Sequence, residues 1–259
     1  MVKKQVIDQK CTIGLYGDAG VSPNSFFQLK KLLSPYYAIV KIKATDIISK
    51  NWPGNMRALV MPGGVDTLYH QKLQGIGCAN IKAFVETGGA YVGICAGSYF
   101  AGQCGYFTYA DGKIINEGRD LGFFKGRVIG PAFGTYIEEG HISARLVSIT
   151  LGGGSTYQAY FNGGGFFENA KEDEILGVYQ ETDQPMAIQC KIGKGHAFLC
   201  AIHPEYDQEF LMKEICLKVK GEKGLEQIVR EGGPCMQVKV WFLKKLEAVV
   251  SNAKCANIL

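Results

Sequence analysis

The sequence predicts an α/β fold with a mostly parallel central sheet covered by helices on both faces. That makes three layers, with additional β segments in the second half. Three observations predict it. Short, wholly apolar runs alternate with stretches of helical spacing, the signature of strands buried on both faces. The runs stop at glycine-rich turns, "GLYGDAG", "MPGGVD" and "GICAGS". β-rich segments then recur after residue 144. Function-bearing loops in such sheets lie beyond the carboxyl ends of the strands.

Each element follows in order. "CTIGLYG" (11–17) is a strand ending in glycine, and "SFFQLKKLLS" (25–34) has helical spacing. "YYAIVKIKA" (36–44) is β-rich, and "ALVMPGG" (58–64) is a further strand stopping at a turn. "LQGIGCANIKAFVETGG" reads as a helix closed by glycines and leads into the strand "AYVGICAG" (90–97). Residues 102–140 are glycine- and aromatic-rich with weak periodicity, a long irregular excursion packed near the site. "ARLVSITL", "TYQAYFNGGG", "EILGVYQ" and "PMAIQCKIGKG" read as β segments, with "LGGGS" (151–155) a turn. "HAFLCAIHPEY" (196–206) is a strand ending in charged chemistry. From Asp207 two or three amphipathic helices finish the chain, one carrying Phe242, Leu246 and Val249 on a single face. With no linker, repeat or low-complexity tract, residues 1–259 read as one domain.

Composition narrows the function classes. A net charge of +4 is spread along the chain, and its densest basic stretch, "LKKL" with "KIK" nearby, reads as a solvated face. No nucleic-acid partner is expected. No run of 18 apolar residues occurs, so no membrane span is expected, and the amino terminus lacks the apolar segment of a signal peptide. Nine scattered cysteines are then reduced thiols in a cytoplasmic protein. The tail "CANIL" places its cysteine five residues from the end rather than four, so it is not a prenylation box.

Gly93-Ile94-Cys95-Ala96-Gly97 has the spacing of a nucleophile elbow with cysteine in the serine position. Side chains two residues either side of such a turn would collide with it. A helix amino terminus beginning there favours thiolate over thiol. Taken alone, a buried structural cysteine is about as common a reading. The base decides between them. His203, in "AIHPEY", should emerge at the same sheet edge, and Glu205, past Pro204, should point the same way by strand periodicity. Cys95, His203 and Glu205 would then be nucleophile, proton shuttle and orienting carboxylate. Backbone N–H groups of Gly64, in "MPGGVD", and of Ala96 are the expected oxyanion donors.

"MPGG", "GICAG" and "HPE", in this order and spacing, resemble the class I glutamine amidotransferase-like superfamily. "LVMPGG", "GAYVGICAGSYFA", "RDLGFFKG", "GPAF" and "YFNGGGFF" are similar, more narrowly, to the domain amino-terminal to the catalytic part of fungal biotin–protein ligases, also seen as standalone bacterial proteins. The resemblance runs from about Cys11 to Tyr206 and implies a flavodoxin-like domain with Cys95, His203 and Glu205 in the triad positions. Two departures stand out. Where glutamine-using relatives carry a glutamine four residues after the nucleophile, this chain has Tyr99, and the "GRGR" loop of biotin ligation is missing. Biotin ligation by this chain itself is not expected.

The three glycines of "YFNGGGFF" (160–167) read either as a flexible turn or as a ligand cradle near Cys95, with Asn162 offering donor and acceptor atoms. The cradle is preferred, in part because the resembling domain carries this motif. Gly63, Tyr99, Asn162, Gly163 and Gly164 are the expected substrate-binding residues. No glycine run is followed by Lys-Ser or Lys-Thr, which excludes a P-loop. Cys200 and His203 have a Cys-x-x-His spacing, but residues three apart on a strand face opposite ways. No metal and no cofactor are expected. The leading reading is a cysteine-dependent amide or acyl hydrolase, or an amidotransferase-like enzyme, acting on a small-molecule or peptide amide. A non-catalytic ligand-binding or regulatory module is the alternative, and redox sensing at Cys95 a weaker third. A partner enzyme or a homodimer stays open.

Overall fold

A computed structural model describes residues 10–137, 143–216, 228 and 230–253. Its centre is a nine-stranded sheet in the order β2-β1-β3-β4-β13-β12-β11-β8-β9. The parallel half consists of β1 (Thr12–Tyr16), β2 (Ala38–Ile42), β3 (Met56–Met61), β4 (Ala90–Ile94) and β13 (Gly195–Cys200). An antiparallel half continues it through β12 (Pro185–Ile192), β11 (Ile175–Tyr179), β8 (Arg145–Leu151) and β9 (Thr156–Phe161). The α/β fold is therefore as expected, and its parallel half carries the predicted glycine-terminated runs.

Alternation along the strands divides the core between two faces. Ile13, Leu15, Val60, Val92 and Phe198 pack with Leu29 and Leu33 of α1 (Pro23–Leu33). The carboxy-terminal helix Met236–Asn252 joins this face through Val238, Phe242, Leu246 and Val249, so the predicted stripe is buried. On the other face, Tyr16, Leu59, Tyr91 and Leu199 meet α2 (Ala44–Ile48), α3 (Asp66–Leu73), α4 (Ile76–Glu86) and α5 (Ala96–Ala101). Two of these, α2 and α3, are not predicted, because each is too short to display a clear apolar period.

The excursion expected at 102–140 is instead largely regular. β5 (Gly102–Thr108), β6 (Ile114–Gly118) and β7 (Phe124–Gly130) join β10 (Phe166–Phe167) in a second sheet of order β10-β7-β5-β6. The β signal is hidden because glycine and aromatic residues replace the alternation of a half-buried strand, as in β5, "GQCGYFT". Leu121, Phe123, Phe124, Val128 and Phe167 anchor this sheet in the core beside α5. The "LGGGS" turn joins β8 to β9, with Gly153 and Gly154 at positive φ. After Asp207 the described chain forms the three-residue α-helix Gln208–Phe210 and the π-helical stretch Leu211–Cys216 before the last helix. The remainder of the predicted helical tail, residues 217–227 and 229, lies outside the described residues. No helix among the described residues is long and apolar enough to cross a membrane.

Candidate active site

β4 and β13 are neighbouring parallel strands, with Ile94 opposite Cys200, so their carboxyl ends open at one sheet edge. Cys95 follows β4 directly and donates its N–H to the Cys200 carbonyl at 2.8 Å. Its φ is +47° and ψ −106°, a conformation L residues rarely adopt. The flanking glycines explain how the turn closes. A Cβ on Gly93 would run into the Gly97 carbonyl, and one on Gly97 into the carbonyl of Met61. Side chains are excluded there by backbone, which cannot step aside.

β13 ends at Cys200, so strand periodicity does not orient His203 and Glu205 as expected. A turn brings them together instead: His203 Nδ1 lies 2.9 Å from Glu205 Oε1, both side chains being buried. Glu205 Oε1 also accepts a 2.7 Å bond from the Ser25 hydroxyl, which in turn accepts the Gly63 N–H at 3.0 Å. Ser25 comes from α1, 180 residues away in sequence, and no local motif marks it. Tyr206 lies against the imidazole at 5.2 Å between ring centroids. Cys95 is close enough to the same ring to act on its charge. Burial works against the imidazolium, but the Glu205 carboxylate and the Cys95 sulfur outweigh it and hold the imidazole pKa well above its usual value.

The other expected residues divide into two groups. Gly64, Ala96, Tyr99, Asn162 and Gly163 line the pocket in front of Cys95. Gly64 bridges Val21 through bonds from Ser22 to Gly63 and from Val65 to Gly20, a pattern that does not use the Gly64 N–H. At the elbow, the described backbone bonds run from Gly97, Ser98 and Tyr99 and likewise do not use the Ala96 N–H. Asn162 accepts the Cys95 thiol on its backbone carbonyl at 3.9 Å, while its side-chain Oδ1 is buried without a hydrogen-bond partner. Tyr99 is buried and donates its hydroxyl to the Gly163 carbonyl at 3.2 Å. Gly63 and Gly164 are not among the residues that line the pocket. A Cβ on Gly63 would press on His203, and one on Gly164 on the Ala201 carbonyl.

Sequence reasoning missed the pocket's outer wall. Phe107, Tyr109 and Tyr136 line it and pack edge to face, with centroids 4.9 to 5.9 Å apart. Asp66 stands at its base, held by the fully buried Arg119 through Nε at 2.9 Å and an Nη2 ion pair at 2.8 Å. Burial pushes the Asp66 carboxyl up, against the pull of that guanidinium. Phe107, Tyr109, Arg119 and Tyr136 come from the region whose β structure the sequence conceals, while Asp66 ends the "MPGGVD" turn and opens α3.

The family model described as "Biotin-protein ligase, N terminal" matches residues 12–256. An uncharacterized protein of Chlamydia muridarum is 32% identical over 250 residues, covering 90% of this chain and 93% of that one. The biotin–protein ligase of Schizosaccharomyces pombe is 36% identical over 196 residues, covering 71% of this chain but 31% of the ligase. Among solved structures, a glutamine amidotransferase from Thermotoga maritima aligns with a TM-score of 0.55 at 10% identity, over 93% of this chain and 98% of that one. Another glutamine amidotransferase aligns at 0.54 and 20% identity, over 74% of this chain and 90% of that one. At these identities the structural likeness concerns the fold.

Proposed function

The chain belongs to the biotin–protein ligase N-terminal family, and from that premise we propose that it is a cysteine-dependent amide or acyl hydrolase, or an amidotransferase-like enzyme. The observation that carries this reading is the strained Cys95 against a buried imidazole that Glu205 holds at 2.9 Å. Backbone strain of this kind has to be offset by the surrounding fold and clusters at working sites.

In this reading His203 carries its proton at neutral pH and Cys95 attacks as the thiolate. Sulfur bonds to the carbonyl carbon, and the negative oxygen is received by the N–H groups of Gly64 and Ala96. The His203 proton passes to the leaving nitrogen as the C–N bond breaks, leaving an acyl thioester on Cys95. Neutral His203 then takes a proton from water or a small amine as that molecule attacks the thioester. The acid or new amide departs, and the thiolate and imidazolium are restored. Glu205 positions the ring, and Ser25 positions Glu205. The unpartnered Asn162 Oδ1 would accept from a substrate N–H.

Tyr99 supports a second reading. It is buried where glutamine-using relatives carry a side chain for the substrate amide, and its hydroxyl is bonded to the cradle at Gly163. A binding module on the same fold would retain the pocket without turnover. Biotin ligation belongs to the yeast relative, of which this chain matches 31%.

Iodoacetamide labelling of Cys95, followed by peptide mass spectrometry across pH, separates the two readings. Buried Cys78 and Cys190 are pushed up to about 12, and burial raises Cys200 as well, so these thiols stay protonated at neutral pH. Activation predicts that His203→Ala slows Cys95 labelling at neutral pH by about tenfold or more. Equal labelling rates in the two proteins would defeat the catalytic reading and leave the binding module.

A further inference from the structure

Beside the pocket wall, three potential metal ligands converge from separate elements. His70 lies on α3, Cys78 in the first turn of α4, and Asp120 in the connection from β6 to β7. A ring nitrogen of His70, the Cys78 sulfur and a carboxylate oxygen of Asp120 all lie within 4.8 Å of one another. A simple polar cluster would be joined by hydrogen bonds, yet none of the described bonds links these side chains. The partner that Asp120 does have is the Gly75 N–H, at 2.8 Å to Oδ2, in the tight link between the two helices. That bond holds the carboxylate over the helix junction and leaves its other oxygen available. His70 Nδ1 is buried and has no hydrogen-bond partner, an arrangement native proteins rarely leave unexplained.

We propose that His70, Cys78 and Asp120 form a zinc site of three protein ligands that ties α3, α4 and the β6–β7 connection together. One imidazole, one thiolate and one carboxylate make a borderline-soft set that suits Zn²⁺, whereas Mg²⁺ and Ca²⁺ take oxygen. Bond lengths of about 2.0–2.3 Å place tetrahedral ligands about 3.3–3.7 Å apart, so the cluster contracts by about 1 Å on binding. Asp120 is exposed and can make that movement, while Cys78 is held in the core. The thiol proton passes to solvent, and water completes the four-coordinate shell. Asp120 follows Arg119, and α3 begins at Asp66. The ion therefore braces both ends of the Arg119–Asp66 pair at the base of the pocket.

Cobalt(II) titration of the chelator-stripped full chain tests this. The expected result is one cobalt per chain, a near-ultraviolet thiolate-to-cobalt band and the intense visible bands of a four-coordinate ion. Cys78→Ser should abolish the charge-transfer band, and Asp120→Asn should weaken binding by about tenfold or more. Asp120 is at the surface, so its variant still tests the site if Cys78→Ser does not fold. No thiolate band in excess cobalt would overturn the proposal. So would a band that survives Cys78→Ser, or unchanged affinity in Asp120→Asn.

Discussion

Cys95 shows how narrowly one residue's geometry depends on its neighbours. The chain reverses at φ +47° because Gly93 and Gly97 carry no Cβ to meet the Gly97 and Met61 carbonyls. Gly97→Ala should therefore destabilise the protein by about 1–3 kcal/mol, read as a lower denaturant midpoint, and slow Cys95 alkylation. His203 makes a second prediction at this scale. Its folded pKa is raised, so the native state holds that proton more tightly than the unfolded chain. The resulting stabilisation is complete below the unfolded value of about 6.5 and is lost as pH rises towards the folded value. The stability gap between wild type and His203→Gln should narrow steadily above neutral pH in urea titrations. A gap that widens with pH would contradict the raised imidazole.

At the level of elements, amphipathic patterning is legible in the sequence where the element is long. Phe242, Leu246 and Val249 fall on one side of the last helix and are buried against the sheet, Phe242 beside Phe198 at 5.6 Å. Phe242→Ala should cost about 3–5 kcal/mol in urea denaturation. The second sheet is not legible, because its strands carry glycine and exposed polar residues where alternation would appear. β6, for instance, has four of five residues exposed. Its register comes from pairing instead, with Cys104 opposite Gly118 and Thr108 opposite Ile114. Short α2 and α3 escape for a related reason: a helix of five or eight residues is held by its contacts rather than by its own periodicity.

Across the whole molecule, the pairing of buried Arg119 with half-buried Asp66 joins the second sheet to the helical face of the first. Arg119 lies just beyond β6, and Asp66 opens α3. Arg119→Met should destabilise by about 1–3 kcal/mol, because it leaves the half-buried Asp66 carboxylate without its guanidinium partner. It should also disturb the pocket wall, seen as altered Cys95 labelling under conditions where the variant remains folded. An unchanged unfolding midpoint would mean that the two layers are held by apolar contacts alone.

The sequence by itself determined what neighbouring residues dictate: glycine-terminated strands, the backbone turn at Cys95, and a His-Pro-Glu segment directed to the same edge. Those features depend on local sterics, which a few adjacent side chains decide. Only the tertiary structure decided that Ser25 holds Glu205, that Phe107, Tyr109 and Tyr136 wall the pocket, and that His70, Cys78 and Asp120 meet. Such meetings depend on strand order and on how two sheets share one core. Packing free energy sets both over the entire chain, and no short stretch of residues encodes them.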